Sequence, residues 1–267
     1  MSDFSDTTSP FPETADIETS NDDYATRFAG KTGAWMLDVQ TRPTRRQLAG
    51  FPKGTLLDVG GGHGQLAHPL ADDGWDITVL GSAPSCEKRI ADLTSAGKCK
   101  FVVGNVIELP FPDKSFDAVV CFRLLTHCDH VEQLVRELCR VSRGPIVCDY
   151  PCHESVNAFM TPERFAAKKA IEKNTRTWRI FRHAEVTAAF AAAGRKIVSR
   201  RKQFVLPMAI HRKLKCAPLS AFLEGCCRLV GLNALFGSPV ILRAECPFRE
   251  SGLFVTPGTL LARPVFV

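Results

Sequence analysis

At 267 residues the chain is long enough for one large α/β domain with embellishments and too ordinary in composition for a fibrous or disordered class. No apolar run reaches the ~18 residues of a membrane span, and no basic region precedes an apolar core at the N-terminus, so a cytoplasmic protein is expected. The formal charge of +6 is uneven: the first 26 residues hold seven acids and no Lys or Arg, while residues 27–267 carry 34 bases against 21 acids, a formal +13. A basic body suits anionic substrates, nucleic acid or a membrane surface, and equally the solvated exterior of an ordinary enzyme.

Residues 1–23 are rich in Ser, Thr, Asp and Pro and read as a disordered acidic tail; the main domain is expected over 24–250, with an extension over 251–267. Phe28, Trp35, Met36, Val39 and Leu48 place a helix over 32–40, broken near Pro43, that packs on the core or covers a ligand. Strand and helix signals then alternate. Strands are expected over 55–59, 76–80, 99–103, 116–121 and 145–149. Helices are expected from 65 to about 72 (with Pro69 at a kink), then over 84–96 and over 129–141. The last of these carries apolar residues at 131, 134, 135, 138 and 141, which is helical spacing. Two further helices, 163–173 and 183–193, precede strands over 196–206 and 239–244, with an insert between them at 207–238. This alternation is that of a doubly wound, seven-stranded, mostly parallel sheet with a helical cap.

The densest signal is Leu56–Gly64, LLDVGGGHG, which is strand, glycine turn and helix start in sequence. Glycine tolerates positive φ and lets a backbone approach a ligand, and the helix that follows offers unpaired N–H groups. Residues 62–67 also satisfy G-x-G-x-x-A, so a nicotinamide dinucleotide site is one alternative. The eleven cysteines form no C-x-x-C pair, and Cys121 and Cys148 sit in apolar strands, where the thiol packs as a small hydrophobe. His127, Cys128 and His130 with Cys148, Cys152 and His153 match no zinc spacing, and no metal is expected.

Three blocks in order, LDVGGGHG, GN-V-x-x-LPFPDKSFDAVV from Gly104 and E-L-x-R-V from Glu137, resemble the class I S-adenosylmethionine-dependent methyltransferases, in the small-molecule branch that includes quinone C-methyltransferases. The resemblance covers residues 56–149 well. It implies that Asp58, Gly60, Gly62 and Gly64 hold the amino-acid end and ribose side of S-adenosylmethionine. It also implies that Asn105 accepts from the adenine amino group, where the family commonly has Asp, that Val106 flanks the ring, and that Cys121, Phe122 and Arg123 line the cofactor.

One departure stands out: the family's ribose-binding acid at the end of the second strand is replaced by Gly81, leaving only the hydroxyl of Ser82. A lost charge-assisted hydrogen bond weakens binding by ~1.5–3 kcal/mol. His127 is the candidate base for an acceptor that loses a proton, and His153 the second choice. The implied function is methyl transfer to a small or lipophilic molecule; the alternatives are a catalytically weak or inactive binding or partner subunit, and a nicotinamide-dependent oxidoreductase. No RNA-binding module is visible, so no nucleic-acid partner is expected. Residues 195–215 hold eight bases and no acid and lead into an apolar helix, so peripheral membrane contact through 195–236 is a further expectation.

Overall fold

The computed structural model describes residues 9–155 and 178–247; the expected helix over 163–173 and the extension over 251–267 lie outside them. β1 (Thr55–Val59) is central because Leu56, Leu57 and Val59 alternate with Asp58 to fill both faces. It pairs in parallel with β2 (Asp76–Gly81) on one side and β4 (Ala118–Cys121) on the other. β3 (Cys99–Val103), β5 (Ile146–Tyr150), β6 (Lys196–Phe204) and β7 (Ser238–Glu245) complete the order β3-β2-β1-β4-β5-β7-β6, with β7 antiparallel to both neighbours. The chain winds from β1 towards β3 in one direction and from β4 towards β6 in the other. The crevice outside β1 and β4 is therefore the topological switch point, the place where open α/β sheets bind ligands.

Both faces are covered, as a parallel sheet requires. Leu57, Val59, Cys121, Leu134, Leu138 and Phe190 belong to the core of one face. Leu56, Leu66, Leu70, Ile77, Val120 and Phe122 belong to the other. The helices after the turn are α4 (Ala67–Asp72), α5 (Ala91–Ser95), α6 (Val131–Val141) and α7 (His183–Ala192). The expected helix over 84–96 is divided: a 3-10 stretch, Pro84–Ile90, precedes α5.

Two departures concern the N-terminal region. Residues expected to be a disordered tail contain α1 (Ala15–Ser20), in which Asp16, Thr19 and Ser20 are buried, and α2 (Asp22–Thr26) follows, capped where Asn21 Oδ1 accepts the Tyr24 N–H. α3 (Gly30–Leu48) runs straight through Pro43, where a break was expected. The hydroxyls of Thr41 and Thr44 donate to the carbonyls of Leu37 and Gln40 around the proline, and a buried face of Met36, Gln40, Thr44, Gln47 and Leu48 holds the helix to the sheet.

β6 ends at the same edge as β1 and β4, and the chain then forms a cap of α8 (Met208–Leu214), α9 (Ala217–Leu229) and α10 (Leu232–Phe236). Trp35 of α3 meets Phe204 and His211 edge-on, with ring centroids 5.6 and 5.1 Å away. Buried Glu224 ties the cap together, accepting from Val205 N–H at 3.0 Å and Leu206 N–H at 2.9 Å and pairing with His211 Nε2 at 3.0 Å. Among the described residues no helix is long and apolar enough to cross a membrane.

Candidate active site

The site begins where β1 runs out. Gly60 and Gly64 take φ of +72° and +73° on either side of the 3-10 turn Gly61–His63, a geometry that side chains rarely accept. Gly60 N–H donates to the Leu80 carbonyl at 2.8 Å, fastening the turn to β2. Below the turn lies Asp58, fully buried between Val79 and Val120, with both carboxylate oxygens lacking a hydrogen-bond partner. Burial alone raises its pKa to about 7. A Cβ on Gly61 would lie 2.2 Å from that carboxylate, and one on Gly62 would lie 2.4 Å from the Cys86 carbonyl oxygen. The turn is thus a bare-backbone cradle over a buried acceptor that lacks a donor. This suits a cationic or N–H-bearing ligand and so fits the amino-acid end of S-adenosylmethionine.

The end of β2 is different. A Cβ on Gly81 would stand 2.6 Å from Cys86 Cβ and 3.0 Å from the Phe101 ring, so this packing leaves no room for an acid at that position. A carboxylate arrives from elsewhere: Asp16 of α1 accepts from Ser82 N–H at 2.6 Å and Ser82 Oγ at 2.5 Å, and the Cys86 thiol points to it at 3.4 Å. Asp16 is buried, and desolvation holds its pKa above the usual value against the lowering effect of the Ser82 bonds. Glu13, just before α1, accepts from the N–H groups of Asp129 and His130 at 2.8 and 2.9 Å and meets His130 Nδ1 at 2.7 Å. Sequence reasoning missed both acids, because each lies in an acid-rich, apolar-poor stretch that carries no local sign of burial.

The remaining expected residues divide into two groups. Arg123 comes to the cleft with φ of +59°; its N–H donates to Asp149 Oδ1 at 2.6 Å. Its guanidinium donates to Gln40 Oε1 at 2.6 Å and stands 4.1 Å above the Phe28 ring. Gln65 Nε2 donates to the same Gln40 oxygen at 2.9 Å, so α3, the glycine turn and the end of β4 share one polar node. Burial raises Asp149 to about 6, opposed by the Arg123 N–H and charge. Asn105 is half-buried after β3, its side-chain oxygen accepting Ile107 N–H at 3.2 Å.

Val106, Cys121 and Phe122, in contrast, are fully buried core residues, with Cys121 on one face of the sheet and Phe122 on the other. His127 is buried at the end of the 3-10 turn Leu125–His127; Leu124, just ahead of it, is the side chain that a Cβ on Gly60 would meet at 3.1 Å. His153 lies after β5, one strand further from the turn, with its N–H on the Phe181 carbonyl. The cysteine and histidine group weighed for zinc does not converge among the described residues. The set that does is Cys152, Glu154 and His183, whose ligand atoms lie within 4.8 Å of one another. There the Cys152 thiol donates to the Glu154 and Gly237 carbonyls, the Glu154 carboxylate accepts the His183 backbone N–H at 3.3 Å, and His183 Nδ1 meets Tyr150 Oη at 2.7 Å.

Residues 57–145 match the family model described as "Methyltransferase domain". The chain is 30% identical over 132 residues to a demethylmenaquinone methyltransferase of Renibacterium salmoninarum, covering 46% of this chain and 53% of that protein. It is 37% identical over 92 residues to a 2-methyl-6-phytyl-1,4-hydroquinone methyltransferase of Synechocystis sp., covering 34% of this chain and 29% of that one. The chain therefore spans about half, or less, of the length of these curated relatives. Among solved structures, magnesium protoporphyrin IX methyltransferase from Synechocystis PCC 6803, with bound SAH, superposes with a TM-score of 0.57 at 12% identity, over 84% of this chain and 93% of that one. That likeness is one of fold alone. Residues 57–145 thus match a methyltransferase domain, and the strand order and the glycine cradle over Asp58 agree with the fold of the class I S-adenosylmethionine-dependent methyltransferases.

Proposed function

We propose that the protein transfers the methyl group of S-adenosylmethionine to a small lipophilic acceptor. The observation that carries this reading is Asp58, a buried, unpartnered carboxylate directly under the bare backbone of Gly61 at the switch point. S-adenosylmethionine, when bound, supplies a methyl group on a sulfonium, ready for in-line displacement. The chain's own task is to hold, align and exclude water. Asp58 and the turn Gly60–Gly64 hold the amino-acid end, and Asn105 offers a side-chain acceptor at the adenine end. Arg123, pinned by Gln40, Phe28 and Asp149, closes the side towards α3. His127 takes a proton if the acceptor carries one at the attacked atom. All eleven thiols are free, which supports a reducing, cytoplasmic setting.

Calorimetric titration with S-adenosylmethionine, S-adenosylhomocysteine and NAD tests the cofactor. Binding of either sulfur compound, weakened at least ~10-fold by Asp58→Asn, is expected; no binding at millimolar concentration, or a tighter NAD response, overturns the reading.

A second element of the proposal concerns where the acceptor is met. On α9 and α10, Phe222, Leu229, Val230 and Leu235 are 66%, 88%, 71% and 63% exposed. Exposed Lys213, Lys215 and Arg228 flank them, and Glu224, the single acid of residues 207–238, is buried. Apolar side chains with a basic surround are what an anionic lipid surface attracts. Flotation with anionic liposomes at low salt is expected to carry the protein upward; no association removes this element and leaves the cofactor reading standing.

A further inference from the structure

We infer that the N-terminal segment 13–20 is the cofactor cleft's own occupant, and that α1 must leave before a nucleoside sulfonium can enter. This rests on the cofactor reading of the cleft given above. Two parts of the expected ligand site, the glycine turn and the end of β2, are each covered by one residue of the segment. Over the glycine turn, where the amino-acid end belongs, Ser20 Oγ lies 2.5 Å from the point a Gly62 Cβ would occupy. At the end of β2, where the ribose belongs, Asp16 takes both donors that Ser82 offers. Ala15 packs against the apolar core of one face of the sheet. Glu13 fastens the start of the segment to the loop between β4 and α6 through Asp129 and His130.

The same contacts make the occupant removable. α1 has six residues and is held mainly by polar anchors. Two hydrogen bonds to Ser82 compete with the cost of keeping the Asp16 carboxylate out of water. The segment also accounts for Gly81: with Cys86 and Phe101 against that position, the carboxylate that reaches Ser82 belongs to α1, and it moves with α1. A cleft filled from within lowers apparent affinity by the fraction of molecules in which it stands open, and loosening the occupant restores it.

The test is calorimetric titration of S-adenosylhomocysteine into the full chain and into full-length Glu13→Ala/Asp16→Ala, paired with hydrogen exchange on the unmodified chain. The double variant is expected to bind at least ~10-fold more tightly, and saturating ligand to speed exchange of the 13–20 amides. Equal or weaker binding by the folded variant overturns the proposal and makes Asp16 a bystander or a ligand-holding residue. Slower exchange over 13–20 on ligand addition overturns it as well, and needs no variant. Absence of binding to both folded proteins is a different failure: it removes the cofactor reading and the occupant with it.

Discussion

Two coverings sit on the same edge of the sheet, and they are held by opposite means. The segment 13–20 turns two acids inward: Asp16 of α1 is buried on Ser82, and Glu13 just before it caps the N–H groups ahead of α6. The cap α8–α10 buries one acid, Glu224, as its internal tie and turns large apolar side chains outward. The first covering is polar against the protein and is opposed by the cost of desolvating a carboxylate, so small changes in charge or ligand shift it. The second is tied from within by the buried Glu224 carboxylate, which holds two backbone N–H groups and His211 Nε2, and presents its apolar surface to whatever lies outside. Attachment strength and surface character therefore divide between the two: one covering is suited to release and the other to contact.

The largest expected effect breaks the cap alone. Glu224→Ala strands the buried Val205 N–H, the half-buried Leu206 N–H and His211, and a destabilisation of ~3–5 kcal/mol is expected, read as a lowered denaturant midpoint. S-adenosylhomocysteine binding should survive wherever the variant remains folded, since the glycine turn and Asp58 share none of these bonds. Equal loss of both would show that the two coverings are one unit.

Asp58→Asn tests the base beneath α1 through its pH dependence. An unfolded aspartate ionises near 3.8, while folded Asp58 keeps its proton to about 7. Between those values the folded chain binds the extra proton, and this group's contribution to stability falls as pH rises. His63, lowered to about 3 by burial and by the Arg123 charge, acts in the opposite direction from pH 6.5 downward, so the informative quantity is the difference between variant and parent. The melting temperature of Asp58→Asn relative to the parent should climb from pH 4 to 7 and level off above; a flat difference would mean that Asp58 is ionised and paired in the native state.

Leu229→Asp with Val230→Asp should abolish liposome flotation and leave the melting temperature nearly unchanged, because both side chains are exposed. Smallest is Arg42→Ala, which removes an exposed ion pair with Asp38 on α3; a change within ~0.5 kcal/mol is expected, which sets the baseline for the other variants.

The sheet was legible because its information is local. Leu56–Val59, Ile77–Leu80 and Val119–Cys121 alternate or run apolar over a few residues, and the glycines after β1 mark the turn on their own. Strand edges differed by a residue or two, and Pro43 misled because its helix is held by buried contacts on one face rather than by its backbone alone. At the site, Asp58 and the turn could be picked out from motif order, whereas Asn105 sits in a loop whose use depends on its neighbours. Val106, Cys121 and Phe122 were picked out by position, and burial places their side chains in the core.

By itself the sequence determined the alternation of strands and helices of a doubly wound domain, the run of glycines from Gly60 to Gly64 and the absence of an acid at Gly81. Only the tertiary structure decided what stands in that acid's place. Asp16 and Ser82 are 66 residues apart in sequence and share a hydrogen bond, and Glu13 reaches His130 across 117. No periodicity or propensity records such a contact, because a short acidic stretch has the same composition whether it is solvated or buried. The donors that decide between the two, Ser82 and the amides ahead of α6, come into reach only once the sheet has formed.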